Sequence, residues 1–199
     1  TLIERILYLF VEKDIAPENI LVATFTEKAA SELITRVTNR LLELNLQVNV
    51  NDMYIGTLHS IFLRLIEDYH EYSRLNKNYR ILDDFEQNYF VYGYLREFEK
   101  IPDMDTLLER KPVWKKTTFL VESFNKLKEE MVDLIELQKD PDIQLQALAK
   151  ATILYNKLLE QANALDFSGI QSELLSIIEN HQNVLESIQK KILYLMVDE

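Results

Sequence analysis

Between Ile20 and Val37 the hydrophobic period of the chain changes within three residues, and few folds accommodate that change. Ile20, Leu21, Val22 and Ala23 form an unbroken apolar run, which stops at Thr24-Phe25-Thr26. Ala30, Leu33, Ile34, Val37 and Leu41 then recur three or four apart, with Lys28, Glu32, Arg36 and Arg40 between them. A run apolar on both faces suits a central parallel strand, and the helical stripe after it suits a helix covering that sheet. Thr24 and Thr26 stand where the helix needs its N-cap, and Thr24 with Glu27 fits a capping box. Open α/β sheets bind ligands outside the carboxyl ends of their strands. A strand ending in Thr-Phe-Thr offers hydroxyls, backbone amides and an aromatic face at that edge. The plainer reading of the same residues is a capped helix with one buried Phe.

The design recurs twice. Met53-Tyr54-Ile55-Gly56 reads as a second short strand, followed by Thr57-Leu58-His59-Ser60 and a helix that buries Ile61, Phe62, Leu65, Ile66 and Tyr69. At the end of the chain, Ile192 to Val197 form an apolar run closed by Asp198-Glu199. An acid at the end of such a strand is placed to hold the Mg²⁺ of a nucleotide, and a neighbouring carboxylate to orient water. The pattern alone is common, since many strands end in acids. His59, near a helix start, reads equally as a cap or packing residue. His70 and His181 are isolated, so no histidine metal site is expected.

Composition narrows the class. Three Gly and four Pro in 199 residues favour long helices over a turn-rich all-β fold. The absence of Cys excludes disulfides and thiolate chemistry and fits a reducing, cytoplasmic setting. No apolar run reaches membrane-span length, so no membrane partner is expected. The net charge of -11 has the wrong sign for a protein that coats nucleic acid. Any DNA contact is therefore local, made by hydroxyls, amides and aromatic faces.

Three segments are expected: 1–80 as the first part of an α/β core, 81–165 as an all-helical insert, and 166–199 as the return to that core. In the insert, Phe85, Tyr89, Phe90, Tyr92, Tyr94, Leu95 and Phe98 make an aromatic-rich helix read mainly as core packing. A long helix is expected from Thr117 to Gln138, with Met131, Leu134 and Ile135 on its buried stripe. Asp140-Pro141-Asp142 starts another.

Four ordered segments then carry a family resemblance: ILVATFTEKAASELITRV, IGTLHSIFLRLI, YNKLLEQANALDFSGI and ILYLMVDE. Their order and spacing resemble the N-terminal half of UvrD/Rep-type superfamily-one DNA helicases. That family carries a phosphate loop, TFTNKAA and TFHS segments, a helical insert, LDFDDL, and a Walker B of the form VDEyQD. The resemblance implies a partial RecA-like P-loop NTPase domain with a parallel sheet and an inserted helical subdomain. It implies ATP and Mg²⁺ as cofactors, and single-stranded and duplex DNA as partners, with the oligomeric state left open. By position, Thr24, Phe25 and Thr26 would touch single-stranded DNA, as would Thr57, His59 and Ser60, with Lys28 a further phosphate contact. Thr1 would lie at or just past the phosphate loop, Asp198 would serve Mg²⁺, and Glu199 would be the general base. The chain then reads as an excised piece of a helicase, inactive by itself. The motor of a helicase-nuclease and a non-enzymatic helical interaction module are the alternatives. Glu27 stands where the family usually has Asn, Leu58 where it has Phe, and Ser168-Gly169 where it has Asp-Asp.

Overall fold

The computed structural model describes residues 1–198, leaving only Glu199, the expected general base, outside the described residues. In chain order the elements are α1 (Leu2–Val11), β1 (Ile20–Thr24), α2 (Glu27–Glu43), β2 (Tyr54–Thr57), α3 (Leu58–Asp68), β3 (Arg80–Leu82), α4 (Asp84–Gly93) and α5 (Leu95–Glu99). There follow α6 (Asp105–Leu108), α7 (Val113–Glu129), α8 (Leu134–Leu137), α9 (Ile143–Gln161), β4 (Ala164–Asp166), α10 (Phe167–Asn180), α11 (Gln182–Lys191) and β5 (Tyr194–Asp198). They form two compact units, one of Thr1–Tyr72 with Glu173–Glu199 and the other of Ser73–Ser172.

The first unit is built on a parallel three-stranded sheet in the order β2-β1-β5. β1 is buried along its whole length, as its unbroken apolar run requires. Successive side chains of a strand face opposite sides of the sheet. Ile20 and Val22 join Ile6, Leu9 and Phe10 of α1 and Leu33, Val37 and Leu41 of α2 in one core. α3 buries Ile61, Leu65 and Ile66. β5 lies at the end of the strand order, and only one of its faces is covered. Tyr194 and Met196 pack on the core, while Leu195 and Val197 stay exposed.

A polar tie holds β5 in place. Lys191, the last residue of α11, donates from Nζ to the Tyr54 hydroxyl at 2.7 Å, and that hydroxyl donates to Asp68. Asn19 Nδ2 donates to the Lys191 carbonyl at 2.6 Å, and Arg64 lies over the Tyr54 ring. Burial alone would pull the Lys191 ammonium down. The Tyr54 and Asp68 oxygens outweigh it and hold the pKa above its ordinary value.

Thr26, not Thr24, is the N-cap of α2, its Oγ1 accepting from Ala29 N at 3.1 Å. The Thr24–Glu27 capping box does not form. Glu27 is the first residue of the helix, and its carboxylate turns to Thr57 instead.

The second unit is not purely helical. β3 and β4 pair in parallel, from Arg80 opposite Ala164 to Leu82 opposite Asp166, in a sheet of their own. This pair goes with the helices, and the unit, Ser73–Ser172, extends beyond the 81–165 span expected for the insert. The long helix expected from Thr117 to Gln138 is two helices. α7 ends at Glu129, Met131 takes a left-handed conformation (φ 51°), and Asp133 caps the short α8. Met131 and Ile135 are consequently exposed. Of the aromatic helix, Phe98 is buried, and Phe90 and Tyr94 pack against the core. Phe85 and Tyr89 instead face solvent.

At the centre of this unit sits a charged hub. Asp166 has no exposed surface; its Oδ2 accepts from Lys128 Nζ at 2.6 Å, Tyr155 OH at 2.7 Å and Gln87 Nε2 at 3.2 Å. Its Oδ1 accepts from Gly169 N at 2.6 Å, capping the start of α10. Tyr155 also stacks on Phe124, with ring centroids 4.5 Å apart. Burial pushes the Tyr155 phenol far up and the Lys128 ammonium down.

Candidate functional site

The site begins with the register of the sheet. Thr24, the last residue of β1, is paired with Thr57 of β2 on one side and Asp198 of β5 on the other. Three strand tips therefore lie side by side on one rim, and α2 and α3 start from it. Each of these helices takes its N-cap from the strand end or the short turn after it, because a β-region Ser or Thr there satisfies an otherwise orphaned amide. Thr57 Oγ1 accepts from Ser60 N at 3.3 Å, as Thr26 does from Ala29 N.

The rim residues differ sharply in exposure. Thr24 is buried (4% exposed), and its hydroxyl donates to the carbonyl of Thr26 at 3.0 Å, with the Gly56 carbonyl 3.4 Å away. Thr24 therefore latches the β1 tip to its own turn and to β2 from beneath the rim. Phe25 projects from that turn with 90% of its surface exposed. The structure places it outside any core, against the plainer reading of a buried Phe. Thr26, Glu27 and Lys28 are exposed beside it, while Thr57, His59 and Ser60 are half-buried. Ser60 Oγ donates to the Thr57 carbonyl at 2.9 Å, packed so closely over β2 that a Cβ on Gly56 would come within 2.3 Å of it. Gly56 is the residue that lets α3 start this tightly against its strand.

On the β5 side the rim opens into a cavity of about 250 Å³ lined by Thr1, Leu2, Ile3, Ala29, Glu32, Leu33, Arg36 and Asp198. It brings together Thr1 and Asp198, the two described residues assigned to a nucleotide from the sequence. Thr1 caps α1, its Oγ1 accepting from Glu4 N at 3.4 Å. Among the described residues no group of three or more His, Cys, Asp or Glu side chains is arranged to hold a metal ion. The cavity carries two carboxylates, Asp198 and Glu32, the latter paired with Arg36 at 3.7 Å. That fits Mg²⁺ arriving with a nucleotide, since Mg²⁺ keeps waters and takes phosphate oxygens with only one or two protein carboxylates. No helix among the described residues is long and apolar enough to cross a membrane.

Reasoning from sequence missed the Asp166 hub and the Glu27 contact. The hub left no local signal, since Gln87 and Lys128 lie in helices that carry other polar residues, among them Glu86, Asn88, Asn125 and Lys126. Glu27 left none either, because its partner Thr57 lies 30 residues away. Gly169 has a local cause: a Cβ there would stand 2.7 Å from Asp166 Oδ1.

Comparison with known proteins adds an independent line. A family model described as UvrD/REP helicase N-terminal domain matches residues 1–199. The chain is similar to the ATP-dependent DNA helicase PcrA of Bacillus subtilis (31% identical over 201 residues) and of Staphylococcus aureus strain Mu50 (30% over 199). In both, all of this chain is covered but only 25% of the relative's length.

Proposed function

This chain belongs to the UvrD/REP helicase family, and from that premise we propose that the protein uses ATP to move along single-stranded DNA and open duplex ahead of it. One observation carries the reading: in a single sheet, the tip of β1 is hydrogen-bonded on one side to β2 and on the other to β5. The residues assigned here to the strand and to the nucleotide thus share a rim, so that a displacement of one tip would be transmitted to the others through the parallel ladder.

On the DNA side, Phe25 offers an open ring on which a base stacks. Thr26 supplies a hydroxyl proton that no protein acceptor takes among the described residues. Thr57, His59 and Ser60 position the adjoining tip, and Lys28 gives the exposed cation nearest the turn. Such contacts hold a strand without reading its sequence. Thr24 acts from below, by fixing the turn that presents Phe25. On the nucleotide side, Thr1 and Asp198 face one cavity, and Asp198 is the ligand for Mg²⁺, with Glu199 assigned as general base from its place in the sequence. Bound Mg²⁺ neutralises charge on the phosphates. The role of the protein is to hold that ion and the attacking water in a fixed relation to the strand-binding turn.

The test is ATP hydrolysis by the full-length protein, with and without an oligodeoxythymidylate. The expected result is Mg²⁺-dependent turnover stimulated by the single strand. Turnover indifferent to DNA, or none, would overturn the proposal.

A further inference from the structure

The hydroxyl protons of this rim are largely committed to the protein itself. Thr24 donates to the Thr26 carbonyl, Ser60 to the Thr57 carbonyl, and Thr57 Oγ1 to Glu27 Oε1 at 2.8 Å. Glu27 is exposed and stands at the first position of α2, two residues after the exposed Phe25. The Thr26 hydroxyl caps the start of α2 by accepting from Ala29 N, and the Glu27 carboxylate is turned to the neighbouring strand tip, where the Thr57 hydroxyl pins it.

Building on the single-strand reading above, we infer that Glu27 is an affinity-setting residue, a built-in competitor for the phosphate of a bound strand at the β1–β2 edge of the rim. Its charge, held at the Thr57 tip, repels phosphate from this edge of the rim. The strand is therefore held mainly through its bases on Phe25, and binding depends less on salt than a phosphate-gripping rim would make it. Lys28, next along the helix, offsets part of this charge without removing it, because it has no hold on Thr57.

Glu27→Gln separates charge from geometry, since the amide oxygen still accepts from Thr57 while the negative charge is gone. Fluorescence anisotropy with a labelled oligodeoxythymidylate should show the variant binding roughly three- to fivefold tighter at ~50 mM salt, the size expected for one partly solvated charge near a phosphate. The gain should shrink by ~200 mM salt, and the slope of log affinity against log salt should steepen, because more phosphate charge is then neutralised by the protein. A variant that shifts affinity equally at all salt concentrations has changed through folding rather than charge, and overturns the inference. Phe25→Ala, measured alongside, keeps the two readings apart. If it weakens binding while Glu27→Gln changes nothing, the inference falls and the single-strand reading stands. If the unsubstituted protein does not bind the oligonucleotide, both fall.

Discussion

Replacing Lys128 with Met should lower the stability of the protein by about 3–5 kcal/mol, the cost of leaving a buried charge without its partner. Asp166 has no exposed surface, and its Oδ2 rests on the Lys128 ammonium at 2.6 Å. The Lys128 side chain is itself only 10% exposed. Met fills most of the same volume and keeps the stem packed, so the loss is electrostatic rather than a cavity. The Tyr155 hydroxyl, Gln87 amide and Gly169 N–H remain as donors, but none carries a charge. Adding Asp166→Asn to Lys128→Met should recover more than half of the loss, because the pair is removed together and no lone carboxylate is left. Urea unfolding followed by the fluorescence of Trp114, the single tryptophan and a residue of α7 in the same unit, measures both. A loss under about 1 kcal/mol for the single variant, the range of exposed pairs, would show that the hub is wet.

The second expected effect is on binding. Phe25→Ala should weaken single-strand affinity by about 1–3 kcal/mol, the range for removing one base–aromatic stack. The ring is 90% exposed, so its loss leaves the core untouched and the melting temperature unchanged. Phe25→Trp should retain most of the affinity, because stacking needs an aromatic face rather than a particular ring. Anisotropy and thermal melting on the same samples separate the two effects. Unchanged affinity in Phe25→Ala would remove Phe25 from the strand-binding surface.

How much of this was legible in the chain depends on the range of the interaction concerned. The alternation from apolar run to helical stripe at Ile20–Val37 is local, and the structure has β1 and α2 there. The tips at Thr24, Thr57 and Asp198 were readable for the same reason, each being a strand end followed at once by a polar turn or acid. Capping was ambiguous because Thr24 and Thr26 are both competent. The choice fell to Thr26 once Thr24 was buried and its proton taken by backbone carbonyls. Beyond Ile81 the periodicity misled. The stripe through Met131 and Ile135 continues in sequence, but the left-handed turn at Met131 rotates it out of the core. The β3–β4 pair is only three residues long in each strand and joins segments far apart in sequence, too short to leave an alternation. The hub around Asp166 depends on tertiary contacts from α4, α7 and α9, which no local pattern encodes.

Hydrogen exchange on the protein with and without an oligodeoxythymidylate tests the shared rim most directly. Bound strand should slow exchange together in peptides covering residues 24–29 and 56–61, the turns that leave β1 and β2, and addition of Mg²⁺ and ATP should extend that protection to the end of β5. Protection confined to the helices between Asp84 and Gln161, with both turns exchanging as in the free protein, would contradict the account.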